Sequence, residues 1–247
     1  MSEILILAAA GFISSAVSAM VGFGGGAMLM AVVLVFMPPA AAIPFHALVQ
    51  LAANSSRVVL LRQWVAWDIV VPFLVLLLPG AFAGRMLFEG LSERVIFVLI
   101  GVFVLATLFS QRIAAVSARE YPRWFFLPLG FVIGVLGSTV GVVGLMFAPF
   151  LMRQRLSKEG INATMASMAA AVHIVKIGAF ATFGFDPRDY LWLLAAMIPA
   201  VVVGSIFGKA VLVRFSERIF RILFTTVLVG LAVKMILWDG VLAPLMR

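Results

Sequence analysis

The sequence predicts an all-α fold, a polytopic membrane helical bundle of two inverted repeats, each a re-entrant glycine-broken hairpin followed by three transmembrane helices. Three observations predict it. Apolar residues make up 64% of the 247 positions and charged ones only 11%, and the mean hydropathy is +1.21. The apolar runs approach or reach the length of a bilayer crossing. One order of motifs occurs twice along the chain. A soluble domain of this composition could not cover itself with the charge that solubility requires.

The first repeat opens with two apolar pieces, Ile4–Val21 and Ala27–Met37, separated by Gly22-Phe23-Gly24-Gly25-Gly26. A helical crossing needs about 20 apolar residues, and these pieces are mostly too short, so together they are expected to form the hairpin. No basic residue follows the initiator Met, which marks the first piece as mature structure and not a signal peptide. Phe45–Leu61, following Pro44, then Ile69–Phe88 and Val95–Ser110 are the first three crossings. The polar stretch after them divides the chain into a first membrane repeat (1–112), a cytoplasmic linker (113–123) and a second membrane repeat (124–247). In the second repeat Phe125–Gly137 and Gly144–Met152 form the hairpin, and Ile161–Phe183, Tyr190–Phe207 and Ile219–Leu237 the crossings.

The duplication rests on register. A shift of 119 residues lays Gly11-Phe12-Ile13 on Gly130-Phe131-Val132, Gly22 on Gly141, Gly25 on Gly144, Asn54 on His173 and Arg57 on Lys176. After a few inserted residues, Leu91-Ser92-Glu93-Arg94-Val95 falls on Phe215-Ser216-Glu217-Arg218-Ile219, with Ser92 and Ser216 suited to cap the helices that follow. Shared order along the chain, more than any single match, is the mark of an internal repeat.

Charge orients the bundle. If each glycine-broken region enters and leaves on one face, that arrangement gathers eleven basic residues, from Arg62 to Arg221, on one side and leaves Arg85, Arg94, Arg188 and Arg247 on the other. The positive-inside rule then puts both termini outside the cytoplasm. Three crossings per repeat is an odd number, so the copies face opposite ways. The five tryptophans, Trp64, Trp67, Trp124, Trp192 and Trp238, all fall at segment ends, where rings anchor at the headgroup level. The formal charge of +8 lies in short loops and so does not point to nucleic acid. The lack of cysteine excludes disulfides and thiolate metal sites.

Candidate chemistry gathers in two places. Glycine lets backbone turn sharply and leaves amides uncovered, and broken helices in inverted-repeat transporters aim their positive N-termini at anions. Gly22, Gly24, Gly25 and Gly26, with Gly141 and Gly144, are therefore candidate substrate contacts, against the alternative that they only let helices pack closely. Second, His46, Gln50, Asn54 and Arg57 share one face of a helix, matched on the equivalent helix by His173 and Lys176. Gln50, Asn54, Arg57, His173 and Lys176 complete the expected binding set. The alternative for Arg57 and Lys176 is snorkelling to lipid headgroups, the reading also given to Lys234. The two histidines lack zinc-site spacing, no Ser-His-Asp arrangement or phosphate loop is present, and no metal, cofactor or enzymatic activity is expected.

The run from Gly11 to Gly26, its echo over Gly130–Pro149, the Pro79-Gly80…Gly84 stretch and the Leu91-Ser92-Glu93-Arg94 cap resemble the TauE/SafE sulfite exporter family over nearly the whole chain. The resemblance implies transport, often export, of sulfur oxyanions or small organosulfur compounds such as sulfite or an organosulfonate. The residues themselves point to secondary transport of a small anion by alternating access. The alternative is a non-transporting scaffold or subunit of another complex, with the polar stripe against a partner helix. The expected setting is a bacterial inner membrane, with a small anion and lipids as partners and a homodimer as a further option.

Overall fold

The structure is a computed structural model, and it describes residues 2–21, 24–113, 120–140, 146, 150–182, 184–211, 226, 229–230 and 232–242. Gly22, Gly141 and Gly144, and the Phe215–Ile219 motif, lie outside the described residues. Eight α-helices are laid out over the rest: α1 (Ser2–Val21), α2 (Gly25–Phe36), α3 (Pro39–Leu61), α4 (Trp67–Glu89), α5 (Glu93–Ile113), α6 (Phe126–Val140), α7 (Lys158–Ala181) and α8 (Leu191–Val211). A π-helical stretch, Lys234–Leu242, follows, and no strand occurs among the described residues.

Length and polarity decide what each helix can do. Among the described residues, four helical stretches are long and apolar enough to cross a membrane: Ser2–Ala19, Trp67–Glu89, Glu159–Ala181 and Pro187–Gly208. The first corrects an expectation, because the opening arm of the hairpin is not too short: α1 has 20 residues, about 30 Å at 1.5 Å each. Its return arm, α2, has only 12 and falls short. Helix α3 has 23 residues and begins at Pro39, not after Pro44. Pro39 suits the first turn, where its missing N–H has no partner to lose; Pro44 then lies inside the helix and removes one ladder bond.

The outer surface is apolar. Leu5, Val59, Val75, Met86, Ile174 and Val203 are each more than half exposed, the pattern of a surface solvated by lipid tails. The five tryptophans are exposed as well. The molecule is a polytopic membrane helical bundle.

Inside it, α3 and α7 pack on each other, with α1 against α8 on one flank and α4 against α6 on the other. Both flanking pairs close through small residues. A Cβ on Gly80 or Gly84 of α4 would lie 2.3 Å from the carbonyl oxygens of Phe131 and Val135 of α6. On Gly204 and Gly208 of α8 it would lie 2.3 Å from those of Phe12 and Ala16 of α1. Phe12 and Ala16 map onto Phe131 and Val135 by the 119-residue shift, and the two glycine pairs are 124 residues apart, so one backbone contact is built twice. Without a hydrophobic drive between helices in lipid, such close approach is what holds them. The two copies are not identical: Ser15 and Ser205 share a 2.6 Å hydrogen bond at the α1–α8 contact, where Gly134 meets Ala81 across α6 and α4.

Local capping places the centre. Ser157 accepts the Gly160 N–H at 3.0 Å and starts α7, and Thr164 accepts the Ala66 N–H at 3.0 Å, fixing α7 to the turn before α4. Ser92 stands before α5 with its carbonyl accepting the Ile96 N–H.

Candidate anion-binding site

The polar stripe of α3 points inward. His46, Gln50, Asn54 and Arg57 are all buried, and α7, α8 and α2 of the same chain cover that helix. The stripe is therefore not a free face for a partner helix. Its members bond along the helix: Asn54 Nδ2 donates to the Gln50 carbonyl at 2.7 Å, and Arg57 Nη2 donates to Asn54 Oδ1. Arg57 Nη1 donates to the Ser18 carbonyl at 3.3 Å. Ser18 lies in the last turn of α1, whose final carbonyls have no helical partner and carry partial negative charge. Arg57 thus caps the first arm of the hairpin, and it does not snorkel.

The Ser18 carbonyl and Asn54 Oδ1 are both neutral acceptors, and Arg57 Nε meets no acceptor among the described residues. Across the interface, α7 contributes His173, also buried, and Lys176, which is completely enclosed and equally unable to reach headgroups. The His46 and His173 rings meet edge to face with centroids 5.9 Å apart. No Asp or Glu is buried among the described residues. The centre of the bundle accordingly holds two cationic side chains and no described carboxylate.

The glycines divide by role. Gly24 has φ of 97°, a conformation that costs other residues dearly, and it starts α2 without any side-chain cap. The amides of the first turn, Gly25 and Gly26 included, therefore lie at an uncapped, positive helix end. Gly25 is a close-packing position: a Cβ there would lie 1.8 Å from the Ser14 carbonyl oxygen and 2.4 Å from Ser18 Oγ. A side chain at Gly25 would therefore force α2 away from α1. Gly26 faces the stripe instead, with a built Cβ 2.9 Å from Gln50 Nε2, and its carbonyl accepts from His46 Nε2 at 2.8 Å. The Gln50 carboxamide is buried beside this turn.

The structure therefore brings Gly24, Gly25, Gly26, Gln50, Asn54 and Arg57 together around the α1–α2 break, and His173 and Lys176 alongside His46. The sequence reading missed Ser14 and Ser18, whose small size lets α2 press onto α1; serines at i and i+4 inside an apolar helix were the available signal. Two basic residues also prove differently placed. Lys234 pairs with Asp239 at 2.8 Å and so has an acidic partner, not a lipid anchor's role. Arg85, counted with the loops, is buried within α4, bonded to Glu89 at 3.1 Å and lying 4.9 Å from the Phe180 ring centroid. Among the described residues no three His, Cys, Asp or Glu gather as a metal site.

A family model, sulfite exporter TauE/SafE, matches residues 7–235. The chain belongs to that family. It is accordingly a multi-pass membrane transporter and not an enzyme. No curated protein and no solved structure matches it. The family match spans both halves, so the α1–α2 break, the α3 stripe and the α7 residues all belong to the matched region.

Proposed function

We propose that this transporter exports a small sulfur oxyanion, sulfite or an organosulfonate, by alternating access, and that the anion binds at the uncapped N-terminus of α2 between Gln50 and Arg57. The observation that carries the reading is Arg57, a buried guanidinium with only neutral acceptors and a free Nε–H. A charge in a membrane interior costs at least about 2.5–3.5 kcal/mol even on insertion scales. The dipole of the α1 terminus offsets part of this; an oxyanion would offset the rest, and its flat guanidinium partner can grip two oxygens at once. Gln50 Nε2 and the first amides of α2 are further donors. Lys176 adds a second positive charge from α7.

The repeated helix contacts suit two inverted halves that rock against each other, the arrangement in which a central site opens alternately to each face. With the buried Arg85 set aside, eleven basic residues on one face against Arg94, Arg188 and Arg247 on the other favour an inner membrane with both termini outside the cytoplasm. An interior-negative potential expels an anion with about 2.3 kcal/mol per charge at 100 mV, enough for export without a nucleotide. The test is a thermal-stability screen of purified protein against sulfite, thiosulfate, methanesulfonate and acetate, because a ligand of the folded state raises its melting temperature. Sulfur oxyanions should stabilise the protein and acetate should not. No stabilisation by any anion, or equal stabilisation by acetate, would refute the assignment.

A further inference from the structure

Two imidazoles meet in the middle of the bundle with more bonding capacity than the fold uses. The carbonyl of Gly26 can only accept, so the 2.8 Å contact from His46 makes Nε2 the protonated nitrogen and leaves Nδ1 with a bare lone pair. That Nδ1 is buried and meets no donor, and the Nδ1 of His173 is likewise buried without a partner. A buried acceptor without a donor is unfavourable, so this position favours whatever brings a hydrogen to it.

Among the described residues the buried charges are all positive: Lys176 stands three residues after His173 on α7, and Arg57 ends the α3 stripe that carries His46. Helix α2 carries no titratable residue, and α1 offers only the hydroxyls of Ser14 and Ser18 beside it. Helix α5 brings Ile96 and Ile100 to this core, and α8 brings Leu193 and Met197. The Tyr190 ring lies tilted against Phe45, with centroids 5.7 Å apart. The far side of α7 meets α4 and α6 through apolar side chains such as Phe73 and Ile133. A further positive charge on either ring is therefore opposed while the site is empty, and the opposition falls when an anion arrives.

We propose that His46 and His173 form a proton-binding site coupled to the anion site, so that an oxyanion and a proton bind together and cross the membrane together. This rests on the anion-binding reading above. The proton comes from solution, adds to an Nδ1 lone pair, and breaks no other bond. Linkage is reciprocal: the anion strengthens proton binding by the factor through which the proton strengthens anion binding. A dianion carried with one proton keeps one net negative charge and is still expelled by an interior-negative potential. A monoanion carried with one proton moves without net charge.

The experiment is calorimetric titration of the purified full-length protein with thiosulfate, a dianion throughout the neutral range, in two buffers of different ionisation enthalpy. The wild type should take up close to one proton per thiosulfate bound, with affinity falling by up to about tenfold per pH unit as pH rises. His46→Gln keeps an N–H for the Gly26 carbonyl and should bind thiosulfate with an affinity that no longer follows pH, without proton uptake. Binding by the wild type without proton uptake overturns this proposal and leaves the anion site standing. So does undiminished uptake in both His46→Gln and His173→Gln. Failure of thiosulfate and sulfite to bind at all overturns both readings.

Discussion

Two adjacent glycines at the start of α2 should respond to the same small change in opposite ways. A Cβ at Gly25 would fall 1.8 Å from the Ser14 carbonyl oxygen, about 1.2 Å inside the 3.0 Å that real Cβ contacts respect. Ser18 Oγ, at 2.4 Å, can rotate away, but the Ser14 carbonyl is part of the α1 backbone and cannot. Helix α2 must then lift off α1, an overpacking cost of about 1–3 kcal/mol. For a chain of this size that is a fall in Tm of roughly 3–10 °C for Gly25→Ala. At Gly26 the built Cβ meets only the end of a side chain, Gln50 Nε2 at 2.9 Å, with the next atoms at 3.6 and 3.8 Å. Gln50 can swing aside, and alanine is the better helix former by up to about 1 kcal/mol, so Gly26→Ala should melt within about 2 °C of wild type. Its displaced amide should instead cost one hydrogen bond to the anion, about 1 kcal/mol or roughly fivefold in KM. Melting by circular dichroism and uptake of labelled sulfite into liposomes measure the two effects. A Gly25→Ala protein as stable as wild type would refute the packing argument, and an unchanged KM for Gly26→Ala would remove Gln50 from the site.

Three further outcomes are expected. Arg57→Gln should weaken anion binding more than Lys176→Gln, since only arginine offers two parallel donors, and it should also lower stability by about 1.5–3 kcal/mol through the lost Ser18 bond; equal affinities in the two variants would count against a bidentate grip. Gly84→Ala and Gly208→Ala should destabilise by similar amounts, because both built Cβ atoms lie 2.3 Å from a carbonyl. Gly178→Ala, with nothing within 4 Å, should instead gain up to about 1 kcal/mol, and chemical unfolding in detergent would show whether the three separate this way. Arg155→Cys, at a side chain 93% exposed, should resist an impermeant thiol reagent in intact cells and react once the membrane is opened; ready labelling from outside would reverse the topology.

Composition and unbroken apolar runs together establish a membrane helical bundle here, because only helices and closed barrels satisfy their backbone in lipid and barrel strands alternate apolar with polar residues. The face shared by His46, Gln50, Asn54 and Arg57 was equally legible, since helical periodicity is a property of the local chain. The same holds for the register that places Arg57 on Lys176. What the sequence could not decide is what lies opposite each residue. Pattern makes Gly25 and Gly26 equivalent, yet one abuts a backbone carbonyl and the other a flexible amide. Arg57 and Lys234 both looked able to reach lipid headgroups, but Arg57 bonds a carbonyl at the end of α1 and Lys234 holds Asp239. The meeting of His46 with His173, residues 127 positions apart and not repeat mates, follows only from the packing of α3 on α7. Local spacing determines which side chains share a helix face, while long-range packing determines which faces meet, and the partners of a buried charge belong to the second kind of information.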